Sequence, residues 1–331
     1  MHHLGRTLAI VNPAAQNGNG ARAAAFLKYA SAVGETPFLE LDIRTTNASG
    51  HAADLASSSV AYDTVLAVGG DGVIHEVVQG LMKIPRTQRP ALGVLPCGNG
   101  NDYARTLGMR LSVSEAFLQL LTAVRRAADV GMCNGEYFMQ TLSFGLDAAI
   151  ALGTHERRER TGRQGTRLFL EEGINQLVFH RDEYACSFSI DEKEPRDVGV
   201  FLFAVQVGPT YGGGFKVCPD ADPCDGLLDF CFARPPLGFA QAAKIFLKAK
   251  EGKHVGYTDT LSFGRARSLS LVFNVPPPAQ IDGEALHADR YDIAVLPREL
   301  DVLFAPQEGP FHDHIQLHPC PRPGRHCLGA D

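Results

Sequence analysis

The chain has 331 residues, 45% of them hydrophobic and 21% charged, with a formal net charge of −6. That length allows two domains of ordinary size, the composition supports a buried core, and the negative balance argues against a nucleic-acid binder that works by bulk charge. No uninterrupted apolar run is long enough to span a bilayer and the N-terminus lacks a signal-peptide pattern, so the expected location is cytosolic, with membrane contact only at the surface.

The first part alternates strand and helix. Thr7–Val11 reads as a buried strand ending at Asn12-Pro13 and a Gly/Asn loop, with a helix from about Ala21 to Ser31. Pro37–Ile43 is a second strand, and a helix opens near Ser49, a candidate N-cap. Thr64–Val68 is the third strand, followed by Gly69-Gly70-Asp71-Gly72 and a helix through Met82. Ala91–Pro96 is the fourth, followed by Cys-Gly-Asn-Gly-Asn-Asp and a helix from about Asp102. Four such repeats predict a parallel, doubly wound sheet with helices on its faces. Ligands of such sheets sit at the carboxyl ends of the strands, where all three glycine-rich loops fall.

Near Asp129 the period shifts toward two. Asn134-Gly135 signals a hairpin, and strand-like runs continue to Ala305, interrupted by helices at about Gly165–His180 and Leu237–Lys250. The expected domains are an α/β unit over 1–129, a mostly antiparallel β unit over 130–305, and a Pro/His-rich disordered tail over 306–331. Cys133, Cys186 and Cys231 sit in apolar strand-like runs and read as buried reduced thiols.

Each motif has a plain structural reading beside the functional one. Gly69–Gly72 at a strand end suits a phosphate, because bare backbone and a helix N-terminus attract anions; Asp71 could equally cap that helix. No third glycine follows for a dinucleotide fingerprint, and no Gly-Lys-Ser/Thr for a Walker loop. Asn12–Gly18 alone reads as a turn. In Leu95–Ala104, Gly98 and Gly100 permit close approach, while Asn99, Asn101 and Asp102 offer polar ends, or a cap. Asp220, Asp222, Asp225 and Asp229 fall in ten positions, a density that suits a hard cation or a solvated turn. Asp282-Gly283-Glu284 alone reads as a hairpin tip. Gly153–Phe169 is arginine-rich and reads as a solvated, ion-paired helix face or as a contact for anionic lipid. His312, His314, His318, Cys320, His326 and Cys327 match no zinc module by spacing.

Taken in order, Val-Asn-Pro, the segment Val68–Leu81, Leu95–Gly108, Ser143–Ile150, Asp222–Phe230 and Ile281–Glu284 resemble the diacylglycerol kinase catalytic family, which includes bacterial lipid kinases and sphingosine and ceramide kinases. The resemblance runs from about Leu4 to Ala305. It implies an active site in the cleft between the two domains, ATP and Mg2+ as cofactors, and phosphoryl transfer to a lipid hydroxyl. It implies nucleotide contacts at Asn12, Pro13, Ala14, Ala15, Gln16, Thr46, Gly69, Gly70, Asp71, Gly72, Val73, Ile74, His75 and Asn99. It implies a structural magnesium at Asp225, with main-chain oxygens of Asp222 and Leu227. An acidic base is implied in the cleft, Asp282 first and Glu284 second, while Asp71 orients the site or the magnesium network. Two departures stand out: Val73 and Asn99 replace hydroxyl-bearing residues common in the family, which predicts altered nucleotide contacts.

The reading is therefore a peripherally membrane-associated lipid kinase. Its rivals are a catalytically silent nucleotide- or lipid-binding regulator and a soluble-substrate kinase sharing Gly-Gly-Asp-Gly, such as NAD kinase or phosphofructokinase. The expected partners are a lipid substrate and a membrane surface, with no nucleic acid. The lipid stays open, and so does a homodimer.

Overall fold

The computed structural model describes residues 3–33, 36–163, 166–179 and 182–306. Its first four strands lie side by side and parallel, in the spatial order Phe38–Thr45, Gly5–Val11, Thr64–Gly69, Ala91–Pro96. Every residue of the last two is buried, which is why they read as unbroken apolar runs rather than alternating ones. Chain direction across the sheet reverses between Gly5–Val11 and Thr64–Gly69, and a crevice opens at such a switch point.

The rest of the chain folds as an antiparallel β sandwich. One sheet runs Leu261–Ala266, Leu228–Ala233, Leu202–Gln206, Thr141–Gly145, Ala279–Ile281, Glu284–Ala285. It faces Arg290–Phe304, Ser268–Phe273, Tyr184–Ile190 and Arg196–Val200, which continue the first sheet. Ser268–Phe273 alternates between core and surface, as a half-buried strand must. Phe188 from one sheet packs edge-on to Phe203 of the other, 5.8 Å between ring centres, within a core that also holds Phe230, Leu269 and Tyr291. Arg290–Phe304 pairs with Ser268–Phe273 through its first half and reaches Leu92 through Val302. The strand Val124–Cys133 pairs along most of its length. The boundary expected at residue 129 falls inside this strand, so rigid pairing joins the lobes.

Several local expectations change. Ser49 caps nothing: Gly50 holds the cap position of His51–Ser57, and the Ser49 hydroxyl lies 3.5 Å from Glu76 Oε1. Asp71 sits in the first turn of Asp71–Leu81, with Gly70 as the cap. A helix at Val113–Leu120 adds to those expected, and the helix face read in the arginine-rich stretch belongs to a helix that starts earlier, Leu146–Thr161. Cys133, Cys186 and Cys231 are buried and free. The His/Cys-rich tail lies outside the described residues. No helix among the described residues is long and apolar enough to cross a membrane.

Candidate active site

Parallel neighbours deliver their loops to one edge. The Asn12 N–H donates to the Val68 carbonyl (3.1 Å), Thr46 N–H to Val11 (2.8 Å) and Cys97 N–H to Gly69 (2.8 Å), so the loops after all four strands are stitched together at their roots. The loops then touch through bare backbone: a Cβ on Gly98 would lie 2.2 Å from Gly70 Cα. Asn101 staples its own loop, accepting from Gly98 N–H and donating to the Gly98 carbonyl, both at 2.8 Å. Gln16 and Asn17 adopt left-handed backbone (φ 44° and 57°), which lets the first loop turn before its helix proceeds. The Asp71–Leu81 helix points its N-terminus into this space, where unsatisfied N–H groups favour an anion.

These loops form one wall of a cavity of about 750 Å³, within the range of small-molecule and cofactor sites. Asn12 to Gln16, Thr46, Gly70 to Ile74 and Asn99 line it. Gly69 and His75, also expected at the nucleotide, stand behind that wall. The second lobe supplies Met139 to Thr141, the Leu146–Thr161 helix through Ala151, Thr154, His155 and Arg158, and the turn with Asp282 and Glu284. Val73 turns its side chain onto Gly69 and is buried there, filling core rather than offering a polar group. Asn99 Oδ1 is buried at the cavity without a hydrogen-bond partner, so this departure from the family pattern keeps a polar atom facing the ligand space.

Four carboxylates meet here in different states. Asp71 Oδ1 accepts the Tyr103 N–H at 3.1 Å. Asp102 accepts the Gly213 and Gly214 N–H groups, each at 2.7 Å, and so pins a second-lobe glycine turn to the first lobe. The two carboxylates flank Gly100, whose missing Cβ would be 2.9 Å from Asp71 Oδ2 and 3.0 Å from Asp102 Oδ2. Burial raises the Asp71 carboxyl against the pull of backbone N–H groups from Tyr103 and Asp102. Burial and the Asp71 charge push Asp102 up to about 7. Such a pair suits a divalent cation held by one or two carboxylates plus substrate phosphates.

Asp282 and Glu284 differ more. Asp282 takes a left-handed turn (φ 48°) that swings its carboxylate back to the backbone. It accepts N–H bonds from Met139 (2.8 Å), Gln140 (3.0 Å) and Thr141 (3.0 Å), and His75 Nδ1 lies 3.4 Å away. Its side chain is 6% exposed. Glu284 is exposed at the cavity, and its carboxylate has no hydrogen-bond or ion-pair partner among the described residues.

The residues expected to hold a structural magnesium do not fit one. Asp225 is ion-paired with Arg265, which also meets Asp229 Oδ2 at 3.2 Å. Asp225 Oδ1 accepts the Leu227 N–H (3.1 Å) and Asp222 Oδ1 the Cys224 N–H (3.0 Å). A guanidinium already supplies the positive charge that these carboxylates face. The arginine-rich stretch is largely paired: Arg157 with Glu172 (3.1 Å), and Arg163 and Arg167 with Glu171 (2.8 and 3.3 Å). Sequence reasoning missed the Asp102 anchor, the role of the Gly212–Gly214 run that it grips, and Arg158. The three consecutive glycines were the available signal for the second.

Residues 6–133 match the diacylglycerol kinase catalytic domain and residues 140–304 the YegS C-terminal NAD kinase beta sandwich-like domain. The chain is 28% identical over 281 residues to a probable lipid kinase YegS-like of Chromohalobacter salexigens, covering 83% of this chain and 86% of the relative. It is 27% identical over 278 residues to a diacylglycerol kinase of Bacillus subtilis, covering 78% and 87%. The fold resembles the crystal structure of a putative diacylglycerol kinase from Bacillus anthracis str. Sterne, with a TM-score of 0.74 at 22% identity, over 91% of this chain and 95% of that one.

Proposed function

The chain belongs to the diacylglycerol kinase catalytic family of lipid kinases, and on that premise we propose that it transfers the γ-phosphoryl group of ATP to a lipid hydroxyl, with Glu284 as the base. The observation that carries this is the shared cavity: three glycine-rich phosphate loops and the Asp282–Glu284 turn line one space.

The nucleotide lies along Asn12 to Gln16, Thr46 and Gly70 to Gly72, its phosphates against backbone N–H groups and the helix N-terminus. Asn99 replaces a hydroxyl with an amide at this wall. A divalent cation, held at Asp71 with Asp102 beside it, would neutralise phosphate charge as it develops. The acceptor hydroxyl gives its proton to Glu284 as its oxygen bonds the γ-phosphorus. The bond from that phosphorus to the β–γ bridging oxygen breaks, and ADP leaves with the electron pair. A base must have a lone pair within reach of the hydroxyl. Glu284 has lone pairs to offer, whereas those of Asp282 are met by three N–H groups and His75. On this ground the proposed base is Glu284 rather than Asp282, with Asp282 as a positioning residue that fixes the turn. The lipid arrives from a membrane surface; Ile174, Val178 and Leu247 are among the exposed apolar side chains available to meet it.

The test uses purified protein, Mg-ATP labelled at the γ-phosphate, and detergent micelles carrying in turn diacylglycerol, monoacylglycerol, sphingosine, ceramide and phosphatidylglycerol. One lipid takes the label, and Glu284→Gln lowers the rate by about 10³-fold without loss of ATP binding. ATP binding with no label in any lipid would favour a silent regulator.

A further inference from the structure

The cavity is lined by Asp71, Glu76, Asp102, Asp282 and Glu284, yet a nucleotide triphosphate brings its own negative charge. Arg158 is the lining arginine or lysine among the described residues. Its helix, Leu146–Thr161, directs Ala151, Thr154, His155 and Arg158 to the cavity, a spacing of three, four and seven that forms one helical face. Neighbouring arginines on this stretch have acidic partners: Arg157 holds Glu172, and Arg163 holds Glu171. Arg158 has no hydrogen bond or ion pair among the described residues, and its Nε is buried without a partner. A buried guanidinium N–H left unmatched is costly, so it marks a position for a ligand acceptor. Burial lowers the Arg158 pKa and the Asp71 charge raises it, which sets the guanidinium in the field of the phosphate-loop carboxylate.

Resting on the kinase reading above, we infer that Arg158 is a catalytic residue that binds a phosphate group in this cavity, supplied from the second lobe across from the Gly70–Gly72 loop. A planar guanidinium suits phosphate because two N–H groups can meet two oxygens at once. Two sources carry the same chemistry: the terminal phosphate of ATP and the phosphate of the lipid product. The first is the group that moves, and a cation beside it stabilises the transferring charge. Arg158 would then join the two lobes only when a phosphate lies between them.

The experiment compares wild type, Arg158→Gln and Arg158→Lys. Titration calorimetry reads affinity for ADP and for a non-hydrolysable ATP analogue. Inhibition by phosphatidic acid in micelles and the transfer rate are read in parallel. The expected result for Arg158→Gln is a transfer rate about 10²-fold lower, with analogue binding about tenfold weaker and ADP binding unchanged. Arg158→Lys recovers part of both. Weakened inhibition by phosphatidic acid with analogue affinity intact would assign the lipid phosphate and still support the site. Equal losses for ADP and the analogue, or no loss against either phosphate, would overturn it. A wild-type protein that binds neither nucleotide would sink the kinase reading itself. A wild type that transfers label, with Arg158→Gln its equal, would remove Arg158 alone.

Discussion

His75 Nδ1 stands 3.4 Å from Asp282 Oδ2, joining the first-lobe helix Asp71–Leu81 to the second-lobe turn that borders the cavity. On its other side His75 Nε2 lies 3.4 Å from Glu136 Oε1. Burial alone would lower the imidazole pKa, but the bonds to Asp282 and Glu136 outweigh it and raise it to about 10. His75 is therefore a buried cation at neutral pH. A pKa raised above its unfolded value stabilises the fold fully below about 6.5, and this contribution fades as pH rises through about 10. Stability measured by urea unfolding should fall between pH 7 and 10, by about 3–4 kcal/mol from this group. In His75→Gln that slope should flatten. Equal slopes in the two proteins would mean that His75 stays neutral.

Gly98→Ala tests the contact between the loops that follow Gly69 and Pro96. The added methyl would meet Gly70 Cα at 2.2 Å and Asn101 Oδ1 at 2.9 Å, and the first of these is backbone that cannot rotate away. The loops must part. The expected cost is about 1–3 kcal/mol of stability, with ATP affinity at least tenfold lower by calorimetry. Gly256→Ala, where a Cβ meets nothing within 4 Å and the backbone is not left-handed, serves as the neutral control. ATP binding that survives Gly98→Ala would put the nucleotide elsewhere.

The parts legible in the sequence were those whose signal is local. Thr64–Gly69 and Ala91–Pro96 are buried on both faces, so each announced itself as an apolar run that stops where the loop begins. The Leu146–Thr161 helix was legible only in its charged second half, because its buried apolar positions (Leu146, Ala148, Ile150) are confined to the first turns. The contrast between Asp282 and Glu284 was equally hidden. It depends on a left-handed turn meeting the N–H groups of residues 139–141, far away in the chain. Arg265 meets Asp229 by cross-strand register, which no spacing rule reveals.

Asp147, like His75, costs stability as pH rises, but here it is the charged form that the fold disfavours. It sits in the first turn of Leu146–Thr161, buried, with Oδ2 lacking a partner among the described residues. Burial pushes its carboxyl up to about 7, offset only by a hydrogen bond with Ser143. A folded carboxyl that holds its proton more tightly than the unfolded chain loses stability as pH rises from about 4 to 7. Asp147→Asn keeps the shape and removes that charge. It should be more stable than wild type at pH 8, by roughly 2–4 kcal/mol, and the gap should narrow by pH 5. Denaturant midpoints at the two pH values measure it, and a variant less stable at pH 8 would contradict the assignment.

Arg265 makes the stability of the second lobe a matter of an internal cation rather than a metal. It stands directly across from Asp229 in strand register and bridges to Asp225 in the preceding turn. Burial raises Asp229 to about 6, and Arg265 is the main force opposing that rise. Without the guanidinium, Asp225 and Asp229 would face each other as like charges, one of them mostly buried. Arg265→Gln should therefore lose about 1–2 kcal/mol at pH 8, a modest figure because the arginine is about a third exposed and solvent screens the pair. A hard cation suits the oxygens thus left free, so millimolar Mg2+ should restore part of the loss in the variant. In the nucleotide-free wild type, the same Mg2+ and a chelator should both leave the melting temperature unchanged. A wild type that gains stability with Mg2+ and loses it to the chelator would return Asp222, Asp225 and Leu227 to the role of metal ligands, with Arg265 displaced when the ion binds.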